Sequence, residues 1–444
     1  FPLLKLRSLA AQGALEGVVE DAIAPMVQSA IDRILMMQNW SGGFTMWPGS
    51  GDPWPWASVY AAHFLVEAKR EGFVVPTEEL NSLLNYLGDQ LQSNDSDSRS
   101  EQAYAAWVLA IAGRPARDRM ELLAEKRAEL SGEARAMLAA SFMVVGDRPQ
   151  AASLLQEAGA AAAKTPVTRG TSGVLRSERR QTAVLLLAWL EQDATAPDVP
   201  VLAKRLYDAM NAEGHWGTTQ DTAFALLALG RHADVAGVAA GEFQADLRMG
   251  DETHTASNAS PFVKHEYLGN RAVEATLRGP GTGFAFWTVE GVPQTPPTTA
   301  ISKGLTVSKR LLSRKGVELK PADGLKQGDF VVVEIAVSAT QPLDNVIIED
   351  LLPAGFEVEN KNLKSAEAMD EEGESGEGMS VQRSEARDDR MVAFVNVAAG
   401  EKRVFRYAVR AVTPGRYVMP PVQASCMYDP DVQALQPGGT VVVR

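Results

Sequence analysis

From Ile23 the apolar positions fall at Ile23, Met26, Val27, Ala30, Ile31, Ile34 and Leu35. Steps of three and four place them on one stripe of an amphipathic helix. The same texture predicts helices over 58–70, 77–92, 100–112, 116–130, 132–145, 150–162, 177–191, 199–212 and 219–229. Breaks are expected at Gly113-Arg114-Pro115, Gly146 and Gly230, where glycine and proline interrupt the helical pattern. Three stretches resemble one another: Gln102-Ala-Tyr-Ala-Ala-Trp-Val-Leu-Ala, Gln181-Thr-Ala-Val-Leu-Leu-Leu-Ala-Trp and Gln220-Asp-Thr-Ala-Phe-Ala-Leu-Leu-Ala. A degenerate repeat of helical hairpins implies a solenoid or a closed α/α toroid.

Two aromatic-glycine turns lead into helices: Trp40-Ser41-Gly42-Gly43-Phe44-Thr45-Met46-Trp47 and Gly214-His215-Trp216-Gly217-Thr218-Thr219-Gln220-Asp221. Glycines permit tight turns there, and the large rings are expected to cover helix ends. Thr218 and Asp221 have the spacing of a capping box.

After about residue 240 the period changes. Short, Gly-bounded, β-leaning runs occur at 243–249, 272–277 and 283–289, and a Pro-Thr linker follows at 295–299. Seven further strands are expected at 305–312, 330–337, 345–350, 390–397, 403–410, 415–422 and 439–443, the pattern of an antiparallel β-sandwich. Residues 367–389 carry nine acids against two arginines, which predicts a solvated, mobile insertion rather than a binding tail.

Composition narrows the function. At 444 residues with 45% apolar and 22% charged residues, the chain is globular and sized for about three domains. The net charge of −13 argues against a nucleic-acid partner. No run approaches the ~18 apolar residues of a membrane span. The start, Phe-Pro-Leu-Leu-Lys-Leu-Arg, carries neither an initiator Met nor a signal-peptide pattern, and reads as the middle of something. One cysteine, Cys426, rules out an internal disulfide framework and fits either the cytosol or a bacterial periplasm.

Candidate chemistry is thin. Asn94-Asp-Ser-Asp-Ser98 reads as a capping loop, not as an aspartate-rich catalytic motif. The histidines His63, His215, His232, His254 and His265 form no i, i+4 pair, and His63 is expected as a satisfied helical histidine. No nucleophile elbow or phosphate loop occurs, and Cys426 is expected to be a buried thiol. Neither a cofactor nor a metal site is indicated. The readings left open are an independent α/α-toroid carbohydrate-active enzyme and a non-catalytic interaction scaffold.

Several segments together resemble bacterial alpha-macroglobulins, large protease traps related to the complement thioester proteins. They are Phe1-Pro2-Leu3-Leu4, the Trp40–Trp47 turn running into Ala57-Ser-Val-Tyr-Ala-Ala-His-Phe-Leu, and Ala411-Val-Thr-Pro-Gly-Arg-Tyr-Val-Met-Pro-Pro421 followed by Met427-Tyr428-Asp429-Pro430. The resemblance covers essentially the whole chain. In that family a Cys-Leu-Glu-Gln thioester motif lies shortly before a Phe-Pro-Leu-Leu-like segment, so here it would fall just upstream of residue 1. An endopeptidase cuts a bait region, and the exposed thioester then acylates a lysine of the attacker.

The resemblance implies a multidomain architecture. Residues 1–238 would be a thioester-type α/α toroid, 239–303 the second half of a CUB-like β domain, and 304–444 a C-terminal macroglobulin-like or receptor-binding-like β-sandwich. It implies an inhibitor rather than an enzyme, with Met427 and Tyr428 in a lid that keeps the thioester dry. Trp40, Gly42, Gly43, Phe44, Trp47, Trp216 and Gly217 would be structural turn residues of the toroid. Family members commonly carry an acid in place of Cys426 and an arginine in place of Asp429. The implied setting is the periplasm, with attacking endopeptidases as partners. It extends to inner-membrane anchoring through a region before residue 1, and to a peptidoglycan synthase as a further partner.

Overall fold

The computed structural model describes residues 1–4, 20–49, 51–93, 98–164, 167, 169–171, 174–211, 214–239, 244–257, 269, 271–279, 299–359 and 381–444. The chain divides into two units. One comprises Phe1–Thr168 and Arg176–Thr288, the other Arg169–Leu175 and Val289–Arg444.

The helices of the first unit run in sequence order: α1 (Glu20–Leu35), α2 (Pro55–Arg70), α3 (Thr77–Gln90), α4 (Arg99–Ile111), α5 (Arg117–Glu125), α6 (Gly132–Val144), α7 (Arg148–Lys164), α8 (Glu178–Gln192), α9 (Asp198–Asp208) and α10 (Thr219–Ala239). They sort into two kinds. In α3 the residues Leu80, Leu83, Leu84 and Leu87 are buried; in α7 they are Ala151, Leu154, Leu155 and Ala158; in α9, Val199, Leu202, Ala203 and Leu206. Each set is i, i+3, i+4, i+7, one apolar stripe with a wet opposite face.

The other kind is buried all round. In α4 every residue from Gln102 to Ala110 is buried, and in α8 every residue from Arg180 to Ala188. Such helices are enclosed by others, and their alanines let backbones approach closely. The inner helices α2, α4, α6, α8 and α10 pack in that order. The ring closes where Phe224 of α10 lies 5.8 Å from Tyr60 of α2, and where Arg180 of α8 lies 6.0 Å from the Trp56 ring of α2. The three resembling stretches are therefore inner helices of a toroid.

Three boundaries differ most from the sequence reading. Helix α10 continues through Gly230 to Ala239, because a buried glycine gains more from packing than its ~1 kcal/mol propensity cost. The stretch 116–130 splits into α5 and a 3₁₀ turn, Arg127–Glu129. Helix α9 ends at Asp208 rather than Ala212. The first unit also carries an antiparallel sheet ordered β2-β1-β3, from β1 (Gln244–Met249), β2 (Glu252–Ser257) and β3 (Val273–Arg278). Strand β2 has no apolar alternation in the sequence and was not expected.

The second unit is a sandwich of two antiparallel sheets with its own core. One sheet is ordered β10-β11-β8-β14-β15-β4, from β4 (Ile301–Lys303), β8 (Leu343–Leu351), β10 (Val381–Ala386), β11 (Arg390–Val397), β14 (Val422–Cys426) and β15 (Asp429–Gln436). The other is ordered β6-β5-β7-β12-β9, from β5 (Leu305–Ser313), β6 (Glu318–Leu319), β7 (Phe330–Ala339), β9 (Phe356–Val358) and β12 (Lys402–Ala411). A ribbon pairs β13 (Gly415–Met419) with β16 (Gly439–Val443). Alternation drives the packing: Val331, Val333, Ile335 and Val337 of β7 all enter the core, as do Val346 and Ile348 of β8. Across the two sheets, Lys309 Nζ lies 2.7 Å from Asp350, which also accepts from Tyr407 OH at 2.7 Å.

The expected strand 415–422 is two strands belonging to different sheets, divided at Pro420-Pro421, whose rings cannot donate to a ladder. The acidic segment ends in a sheet edge, because Val381–Ala386 pairs with β11 and Arg383 and Arg387 both reach Glu385. Residues 367–380 lie outside the described residues, as do 94–97, 283–289, 295–298 and His265.

Candidate functional site

The first aromatic turn is held rigidly. Phe44 N donates to Ser58 Oγ at 2.8 Å, Ser58 Oγ to Trp54 O at 2.9 Å, and Trp54 N back to Phe44 O at 2.8 Å. Gly42 has φ +89°, and a Cβ there would meet Ser82 O at 2.4 Å. A Cβ on Gly43 would meet Pro53 at 2.6 Å and Tyr86 at 2.9 Å. Both glycines are thus required by close approach to α3. Phe44 is buried, whereas Trp40 and Trp47 are 96% and 70% exposed, so these two rings do not cover a helix end.

In the second turn Trp216 is buried and donates Nε1 to Leu206 O at 2.6 Å, closing the end of α9. Gly217 takes φ +92°. Thr218 Oγ1 accepts from Asp221 N at 3.0 Å, half of a capping box. The Asp221 carboxylate accepts from Ser177 Oγ.

The first turns of the inner helices converge on a buried polar hub. Arg180 of α8 pairs with Glu133 of α6 at 2.8 Å and donates to Gln220 of α10, with its guanidinium 6.0 Å from Trp56 and 5.9 Å from Phe224. The buried carboxylates here are Glu133, held by Arg180, and Asp221, held by Ser177. Neither is placed as one of two open acids flanking a sugar, which a carbohydrate-active toroid would need. Beside the hub, the Phe1 ring lies 5.2 Å from Tyr60, 4.8 Å from His63 and 5.8 Å from Phe64. Nδ1 of His63 is 2.9 Å from Tyr104 OH, so this histidine is satisfied within the core, as its helical position implies. Burial pushes the Tyr60 phenol up to about 12.

In the second unit, Met427 and Tyr428 form the two-residue turn between β14 and β15, where Cys426 pairs with Asp429. Met427 is 48% exposed, while Cys426 and Asp429 are buried. Met427 N donates to Asn345 O at 3.0 Å. The Cys426 thiol donates to Asp344 O at 3.5 Å, and burial pushes its pKa up, the opposite of what a reactive thiol requires.

A family model described as the bacterial alpha-2-macroglobulin MG10 domain matches residues 304–431. The alpha-2-macroglobulin of Escherichia coli (strain K12) is 30% identical over 461 residues, covering 98% of this chain and 27% of that protein. The chain belongs to the bacterial alpha-2-macroglobulin family. It spans about a quarter of the length of the curated relatives it matches. Among solved structures, Salmonella alpha-2-macroglobulin reacted with methylamine matches with a TM-score of 0.69 at 25% identity, over 100% of this chain and 29% of that one. Native Escherichia coli alpha-2-macroglobulin, spanning domain MG7 to the C-terminus, matches in fold with a TM-score of 0.67 at 24% identity, over 100% of this chain and 72% of that one.

In this chain, sequence reasoning singled out Met427 but missed the residues around it. Arg169 Nε lies 3.5 Å from Asp429, and its NH1 lies 3.4 Å from Tyr428 O. Asp429 thus has a partner of opposite sign, although it stands where relatives were expected to carry arginine. Asn345, at φ +58°, donates Nδ2 to Thr171 O at 2.8 Å. The separation of more than 170 residues hid these contacts.

Proposed function

We propose that this chain is the C-terminal portion of a periplasmic, protease-trapping inhibitor rather than an enzyme. Residues 1–238 form the scaffold of its thioester domain, 239–303 the returning half of a CUB-like domain, and 304–444 the domain whose Met427–Tyr428 turn shields the thioester. An acyl group activated enough to capture a lysine hydrolyses in water, so it must be kept dry until an endopeptidase attacks. The observation that carries the reading is Met427: a flexible apolar side chain left 48% exposed at the tip of a hairpin whose closing pair, Cys426 and Asp429, is buried. A thioether of this kind seals well against a ring. The reaction of the similar Salmonella protein with methylamine supports an amine-acylating group in such a molecule.

The test is methylamine incorporation by the full-length protein before any protease is added. Covering Met427 is worth about 1.5–3 kcal/mol. Met427→Ala is therefore expected to raise uptake on the order of tenfold or more while the sandwich stays folded. Equal uptake by variant and wild type, with unchanged melting, would reduce Met427 to ordinary packing. Residues 1–444 alone contain no Cys-x-Glu-Gln and are expected to take up no methylamine. An adduct on this segment, seen by mass spectrometry, would place the chemistry elsewhere.

A further inference from the structure

We infer that Arg169 and Thr171 are positioning residues for the Met427–Tyr428 turn, acting through Asp429 and Asn345. The inference rests on the shielding role proposed for Met427. The segment Arg169–Leu175 lies between α7 and α8 in the sequence yet is part of the second unit. It reaches the turn from both sides.

On the leading side, Thr171 engages the start of β8. Its hydroxyl accepts from Asp344 N at 3.0 Å, and its carbonyl accepts from Asn345 Nδ2 at 2.8 Å. Asn345 in turn accepts from Met427 N through its own carbonyl, 3.0 Å away, and donates its N to Asn396 Oδ1 at 3.1 Å. Among the described residues Asn345 alone, apart from glycines, has a positive φ, 58°. Side chains rarely adopt that region, and asparagine is among the few residues that tolerate it. The bonds to Thr171 and Asn396 are what hold it there.

On the trailing side, the Arg169 guanidinium meets the Asp429 carboxylate and the Tyr428 carbonyl. The ion pair is largely covered, with side-chain exposures of 15% and 11%, so it is screened less than a surface pair. The β14–β15 ladder does not depend on either contact, since Val422↔Gln436 through Ser425↔Gln433 pair by themselves. Loss of the segment would therefore leave the sheet intact and the tip loose. Arg169 and Thr171 thus converge on Tyr428, Asp429 and Asn345, the groups that border Met427 or bond its backbone.

The experiment uses the full-length protein and measures methylamine incorporation before protease, at a temperature well below melting. Arg169→Ala and Asp429→Ala are each expected to raise uptake about 5–30-fold, the range of a one-to-two kcal/mol change. The charge-reversed pair, Arg169→Asp with Asp429→Arg, is expected to return uptake toward wild type, which shows that the two side chains act through each other. Thr171→Val, which removes one hydroxyl, is expected to raise uptake with little change in melting, and gives the answer if Arg169→Ala fails to fold. Wild-type uptake in Arg169→Ala and Thr171→Val, with a rise in Met427→Ala, would overturn the positioning role and leave the shield standing. No rise in Met427→Ala either would overturn both.

Discussion

His63 is 2% exposed, with Nδ1 on the Tyr104 hydroxyl and the rings of Phe1, Tyr104 and Trp107 around it. Burial, above all, holds its imidazole down to about 3. In the unfolded chain it would titrate near 6.5. Above that pH both states are neutral and His63 has no effect on the pH dependence. Between pH 6.5 and 3 the unfolded chain binds the extra proton, so stability falls as the pH falls through that window. The expected loss is about 2 kcal/mol between pH 6.5 and 5. Urea unfolding at a series of pH values checks this. His63→Gln, which keeps a partner for Tyr104, should flatten the slope in that interval, and an unchanged slope would show that other groups produce it. That His63 is a core residue was legible from its place in a helical run. Its neutrality was not, because the three rings that exclude water come from residues 1, 104 and 107.

Among the elements, the inner helices were the most legible, because Gln102, Gln181 and Gln220 open three similar Ala-rich runs. The hub that joins their first turns was not legible, since Arg180 and Glu133 lie 47 residues apart and no local pattern pairs them. With side chains 3% and 8% exposed, the pair is a buried one, and its two halves depend on each other. Arg180→Met leaves Glu133 without its cation in a dry site and is expected to cost about 3–5 kcal/mol. Arg180→Met with Glu133→Leu removes both charges and is expected to cost much less than the two single changes together. Denaturant melts of the four proteins measure the coupling. Additive losses would mean that the two charges are solvated independently. In the strands, alternation announced β7 and β11, while β2 and β15 went unseen. Both are mostly polar, and they are strands because a neighbouring strand supplies their hydrogen-bond partners.

At the scale of the whole chain, the two units have separate cores. One runs from Leu4 to Leu229, the other from Leu305 to Val443, and no residue belongs to both. Each core buries enough apolar area for its own cooperative transition, so the chain is expected to depart from two-state unfolding. Calorimetry should resolve two endotherms, with Arg180→Met lowering only the one that belongs to the helical unit. A single endotherm whose van't Hoff and calorimetric enthalpies agree would refute independent cores. By itself, the sequence determined the succession of helical hairpins and strands and the tight glycine turns that lead into two of the helices. Each of these is written in local periodicity, glycine and proline placement, or residue type. Only the tertiary structure decided that Arg180 meets Glu133, that Phe1 sits among Tyr60, His63 and Phe64, and that Arg169 and Thr171 reach the Met427 turn. Those partners are separated by tens to hundreds of residues, and a single sequence carries no signal for such pairs, because the hydrophobic pattern records how wet a position is and not which neighbour keeps it dry.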